Sequence, residues 1–118
     1  MTTSYKDLVG GINLKLREMN KEIPETMTGF GQMAKATHKD GALSAKHKEL
    51  MAMAIAIAAR CQGCLGFHAK ACVQMGVTRA EFEEMLQVAI YMGGGPSVMT
   101  GAEALQAYEE MGGEKAAS

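Results

Sequence analysis

Apolar residues recur three and four positions apart through most of the chain, the period of helices with one buried face. Tyr5, Leu8, Val9, Ile12, Leu16 and Met19 predict an amphipathic helix from about Ser4 to Asn20. Pro24 opens a second helix with Met27, Phe30, Met33 and Ala34 inward, although Gly29 and Gly31 weaken it. Lys39-Asp40-Gly41 reads as a turn. Ser44 is the expected N-cap of a third helix running to about Ala59. The second half of that helix, from Leu50 onward, is apolar on every side. Such a helix belongs at the centre of a fold or in a subunit interface.

A fourth helix is expected from Gln62 to about Met75, closed by Gly76 in the left-handed conformation. Thr78 and Glu81 match a capping box for a fifth helix, with Phe82, Met85, Leu86, Ala89 and Ile90 as its apolar stripe. Gly93-Gly94-Gly95 breaks it and Pro96 restarts the chain. Val98, Met99, Ala102, Leu105 and Tyr108 then form the expected stripe of a last helix, with a frayed tail from Gly112. The tri-glycine follows a helix and lacks the Lys-Ser/Thr of a phosphate loop, so it reads as a helix–helix turn. The fold class is all-α, about six helices in a single domain over residues 1–118.

Composition narrows this further. Aromatics are 5% and Trp is absent, so the core must be built from Ala, Met, Leu, Ile and Val. The eleven methionines are spread over most of the helices, which suits an adaptable core better than a copper site. A net charge of −1 offers no electrostatic footing for nucleic acid or an acidic membrane. The stretch from Leu50 to Ala59 is far short of the roughly 20 residues that span a bilayer. No basic segment followed by an apolar run opens the chain, so a cytoplasmic location is expected. In a reducing compartment, closely spaced cysteines are more often catalytic or metal-binding than structural.

Cys61-Gln62-Gly63-Cys64, followed by His68, is the candidate reactive centre. His68 lies one helical turn beyond Cys64 on the same face. A helix beginning near Cys61 would put both sulfurs where unpaired N–H groups and the dipole favour thiolate. A thiolate at either position can attack a peroxide or a disulfide, and its partner can resolve the product. Glu49 is the candidate base, although by itself it reads as a solvated carboxylate near a helix start. On one straight helix it would lie about 18 Å from Cys61, so a relay needs a sharp turn before the cysteines or a second subunit. Arg60 either supports a thiolate or simply snorkels from a helix end.

Rival assignments remain open at this level. Cys61, Cys64, His68 and Cys72 form a donor set that zinc accepts, although on a helix residues 64, 68 and 72 make a drifting stripe. Cys72 alone reads as a small core residue. His38 and His47 have no partner visible in the sequence and read as solvated. A helical assembly protein with an incidental cysteine pair is a third class.

Glu49, eleven intervening residues, then Cys61-x-x-Cys64-x-x-x-His68 resembles the core motif of the AhpD-like / carboxymuconolactone decarboxylase superfamily, over roughly residues 40 to 105. The resemblance implies an all-helical domain that assembles as a dimer, trimer or hexamer. It implies alkylhydroperoxidase-type chemistry in which Cys64 attacks a hydroperoxide, Cys61 resolves, and Glu49 and His68 relay the proton. The substrate would be a small hydroperoxide or disulfide, and the reductant a lipoyl-type dithiol; no cofactor, nucleic acid or membrane partner is implied. The decarboxylase branch typically lacks the cysteine pair, so its presence here argues against lactone decarboxylation. The best-known peroxidase members carry a histidine just before the second cysteine, where this chain has Gly63. The alternative is therefore a family member without peroxidase activity, a redox sensor or a structural zinc-binding protein.

Overall fold

The computed structural model describes residues 4–117 and contains six α-helices. Met1 to Thr3, part of the segment searched for a targeting signal, and Ser118 at the end of the expected domain lie outside the described residues. The helices are α1 (Tyr5–Glu22), α2 (Pro24–Thr37), α3 (Ala45–Ala59), α4 (Gln62–Gln74), α5 (Arg79–Gly93) and α6 (Gly95–Glu110). No helix among the described residues is long and apolar enough to cross a membrane.

Each start follows from local chemistry. Ser4 and Ser44 accept backbone N–H groups of Asp7 and His47 as N-caps. Thr78 and Glu81 complete a reciprocal capping box. Gly76, at φ +76°, and Gly94, at φ +71°, supply the left-handed residues that end α4 and α5. Arg60 is the sole non-glycine residue with positive φ among those described, at 55°, and it is the C-cap of α3. That turn breaks the straight run from α3 to α4 and lets α4 fold back against α3.

α3 and α4 sit at the centre. α3 packs on α4, α5 and α6, α4 also packs on α1 and α6, and α2 rests chiefly on α1. The core includes Tyr5, Met53, Ile57, Leu65, Cys72, Phe82, Met85 and Tyr108, separated by Ala56, Ala69, Ala89, Ala104 and Ala107. Phe82 and Tyr108 stack with ring centroids 4.6 Å apart. The buried Tyr108 hydroxyl donates to the Val77 carbonyl at 2.7 Å, so the ring is buried without an unpaired polar atom.

Three faces differ from the expected ones. α2 buries no residue, and Phe30 and Met33 are exposed, because this helix leans on α1 and reaches past the core. α6 turns Ser97, Thr100, Gly101, Ala104, Ala107 and Tyr108 inward, while Val98 and Met99 are exposed. Small residues let its backbone approach α4 and α5 closely, and that contact outweighs burial of the larger side chains. On α3, Met53, Ala56 and Ile57 are buried but Met51 and Ile55 are exposed. The tail is also better anchored than expected. The Arg79 backbone N–H and guanidinium donate to Glu114, and Arg79 pairs with Glu109 at 2.6 Å.

α1 crosses α4 at two glycines. A Cβ on Gly66 would stand 2.6 Å from Val9 Cγ2 and 3.6 Å from the Tyr5 carbonyl oxygen. Val is stiff at χ1 in a helix and cannot swing aside. Gly66→Ala is therefore expected to destabilise the protein by about 1–3 kcal/mol in urea unfolding. Adding Val9→Ala should recover part of that loss; additive losses would show that the close crossing is not the cause.

Candidate active site

The turn at Arg60 makes Cys61 the N-cap of α4, and its Sγ accepts the Cys64 backbone N–H at 3.2 Å. Cys61 and Cys64 are joined as a disulfide, with Cα atoms 5.2 Å apart. Both are half-buried, so the bridge lies at the protein surface and at the positive end of a helix. His68 follows Cys64 by one turn of α4.

Glu49 is carried by the first half of α3, facing α4. It is 1% exposed, yet both carboxylate oxygens are engaged. His68 Nδ1 donates to Oε1 at 2.5 Å, and His38 Nε2 donates to Oε2 at 3.1 Å. Burial pushes the Glu49 carboxyl up, but the hydrogen bonds and charges of His68 and His38 outweigh it and hold the group below the usual carboxylate range. With Nδ1 committed to Glu49, Nε2 is the nitrogen of His68 left for proton transfer. A carboxylate that fixes an imidazole one helical turn beyond a cysteine can support an activated thiol once the bridge is reduced.

Of the four residues singled out from the sequence, the structure pairs Glu49 with His68 and Cys61 with Cys64, and the chain itself turns sharply before the cysteines. His38 corrects the sequence-based expectation: it is not simply solvated but bonds Glu49 from the end of α2. Nothing in local spacing marks it, because the contact depends on the loop from Lys39 to Ser44. His47 is exposed and bonds only to the neighbouring Ser44, at 2.8 Å. Cys72 is fully buried and its thiol is pushed up to about 12, first by burial and then by the charge of Glu49, so it remains a core thiol. Cys61, Cys64, His68 and Cys72 do not converge on a point. Among the described residues, no group of three or more His, Cys, Asp and Glu side chains is placed to hold a metal ion.

Two features shape the surroundings of the bridge. A Cβ on Gly63 would stand 2.8 Å from Ile12 Cδ1, so α1 occupies the space that a side chain at position 63 would take. On the other side, Arg60, Gln62, Pro96, Met99, Thr100 and Glu103 line an open cleft beside Cys61. Glu103 Oε2 is held there by the Tyr5 hydroxyl at 3.0 Å and Gln62 Nε2 at 2.9 Å.

Comparison with known proteins identifies the family and the fold. The sequence profile of the carboxymuconolactone decarboxylase family matches residues 24–107. An uncharacterized protein of Cupriavidus necator is 34% identical, over 94% of this chain and 98% of its own length. The crystal structure of a carboxymuconolactone decarboxylase family protein from Legionella pneumophila is similar with a TM-score of 0.89 and 50% identity, covering 91% of this chain and 96% of that one. A family protein from Thermotoga maritima, for which a part in an antioxidative response has been suggested, is similar with a TM-score of 0.77 and 27% identity, covering 87% and 88% of the two chains.

The pH dependence of stability follows from the two shifted groups. Glu49 has a lowered pKa, so its contribution is present in full above 4.5 and is lost as pH falls through the lowered value. His38 has a raised pKa, so its contribution is present in full below 6.5 and is lost as pH rises through the raised value. Glu49→Gln is expected to cost about 1–3 kcal/mol near pH 6. Thermal melts across pH should show that cost shrinking on both the acid and the alkaline side; a constant gap would overturn this account.

Proposed function

The chain belongs to the carboxymuconolactone decarboxylase family, and on that footing we propose that it is a thiol–disulfide oxidoreductase that reduces hydroperoxides through Cys61 and Cys64. The observation that carries this reading is the Glu49–His68 pair brought beside a bridged cysteine pair at the start of a helix. The family likeness to a protein with a suggested antioxidative part supports the same direction. The chain works as one AhpD-like unit over residues 1–118, in the cytoplasm.

The cycle begins from the reduced dithiol. His68 Nε2, oriented by the Glu49 carboxylate, takes the Cys64 proton. The Cys64 thiolate attacks the terminal peroxide oxygen, forming an S–O bond as the O–O bond breaks. The departing alkoxide receives the proton from His68 and leaves as an alcohol. Cys61 then attacks the Cys64 sulfenic acid, forming the S–S bond and releasing water. Its N-cap position, where Sγ accepts the Cys64 N–H, favours the thiolate needed for that step. An external dithiol, of lipoyl type by family likeness, reduces the bridge and becomes a disulfide itself. The reduced Cys61–Cys64 dithiol also serves direct exchange with a small disulfide substrate, which leaves as two thiols while the bridge forms. The cleft beside Cys61 is the approach for either.

The protein works as a homo-oligomer, trimeric or hexameric. Ile55 of α3, Tyr91 and Met92 of α5, Met99 of α6 and Phe30 of α2 are all more than 60% exposed in the isolated chain. So many large apolar side chains left in water are costly and fit subunit contacts.

Stopped-flow measurement of peroxide consumption with a dithiol donor tests the chemistry. Cys64→Ser is expected to lower turnover at least about 100-fold. Cys61→Ser should complete one turnover and accumulate a sulfenic acid, trapped by dimedone and seen by mass spectrometry. Equal rates for wild type and Cys64→Ser would sink the peroxidase reading. Light scattering at micromolar concentration should give a mass several times that of one chain; a monomer would refute the assembly.

A further inference from the structure

His38 closes α2 as its C-cap, with two contacts on one ring. Its Nδ1 lies 2.7 Å from the Ala34 carbonyl oxygen and its Nε2 lies 3.1 Å from Glu49 Oε2. A carbonyl oxygen only accepts, and an ionised carboxylate only accepts. Both ring nitrogens must therefore donate, and a neutral imidazole carries one N–H. The contacts together call for the imidazolium, at the C-terminal end of a helix where positive charge is favoured.

The loop after His38 is fastened to the first turn of α3, just ahead of Glu49. Asp40 accepts the Ala45 backbone N–H at 2.7 Å, and Lys48 Nζ donates to the Lys39 carbonyl at 2.7 Å. The ring is thereby held over the outer carboxylate oxygen while His68 holds the inner one. His38 is also the more open of the two, 38% exposed against 29% for His68.

We propose that His38 is a positioning residue of the redox site, holding the Glu49 carboxylate aimed at His68 through the oxygen that His68 does not contact. The proposal rests on the reading of Cys64 as the reactive thiol with His68 as its proton partner. The charged and titratable groups around it are few. Glu49 and Lys48 face His38 from α3, and His68 and Cys72 face Glu49 from α4. The Ala34 hydrogen bond is the largest influence raising the His38 pKa, Glu49 adds to it, and burial and Lys48 oppose it. Without His38, burial acts on a carboxylate with only one partner. Glu49 then takes up a proton at higher pH, and His68 loses the anion that orients it.

The test is the pH dependence of Cys64 alkylation in the reduced protein, read by peptide mass spectrometry. This readout needs no peroxide turnover. In His38→Ala the acid limb of the rate profile is expected to move up by about one pH unit. His38→Gln, which keeps a neutral donor toward Glu49, should move it less. Should His38→Ala fail to fold, His38→Gln and the wild-type His38 ring signal in NMR carry the test. That ring should titrate above 6.5, and a ring already neutral below that value would overturn the proposal. Superposable profiles for folded wild type and variants would also overturn it. Peroxide turnover with superposable profiles removes the role of His38 alone. A shifted profile without turnover removes the peroxidase reading and leaves His38 in place.

Discussion

A carboxylate with almost no contact with water can stay in an apolar helical bundle only if its charge is answered where it sits. Glu49 meets that condition with two histidines, one on each oxygen. Leaving one oxygen without a donor would cost more than any single core contact in this small protein can return. The constraint binds three helices at once. α3 must present Glu49 toward α4, α4 must bring His68 back to it, and the end of α2 must reach over both. That corner is therefore built from elements distant in sequence, at the centre of the bundle.

The turn between α3 and α4 makes this possible. Arg60 takes a left-handed conformation usually left to glycine, and the chain reverses within two residues. The reversal leaves Cys61 as an N-cap and Cys64 in the first helical turn, so one local event creates both the bridge and its electrostatic setting. It also returns His68 to the level of Glu49. Alanine and glycine do the rest: Ala56, Ala69, Ala104 and Gly66 let α3, α4, α6 and α1 pack closely around that corner. The same closeness brings the tip of Ile12 on α1 against position 63, where a side chain would have to push it aside.

The surface completes the physical picture. Large apolar groups that a small monomer would bury are instead displayed on α2, α3, α5 and α6. The core is filled by residues that pack closely, and the bulkier ones face outward. This distribution explains why helical periodicity misassigned the inner faces of α2 and α6. Periodicity ranks residues by hydrophobicity, whereas close helix contact selects by size, so Ser97, Gly101 and Ala104 displaced Val98 and Met99 from the inside.

Much of the protein was legible in its sequence because the signals are local. Caps, left-handed glycines and the capping box are satisfied within a few residues, so all six helices and most of their ends could be read from the chain. The cysteine pair and His68 stood out by type and spacing, Glu49 did so chiefly through the family motif, and the need for a turn before Cys61 was plain from the length of a straight helix. The tertiary structure alone decided which way that turn folds, which helix faces are buried, and that His38 reaches Glu49 across a loop. Those outcomes depend on contacts between residues far apart in sequence. No local propensity encodes them, because their free energy arises only when the helices pack together.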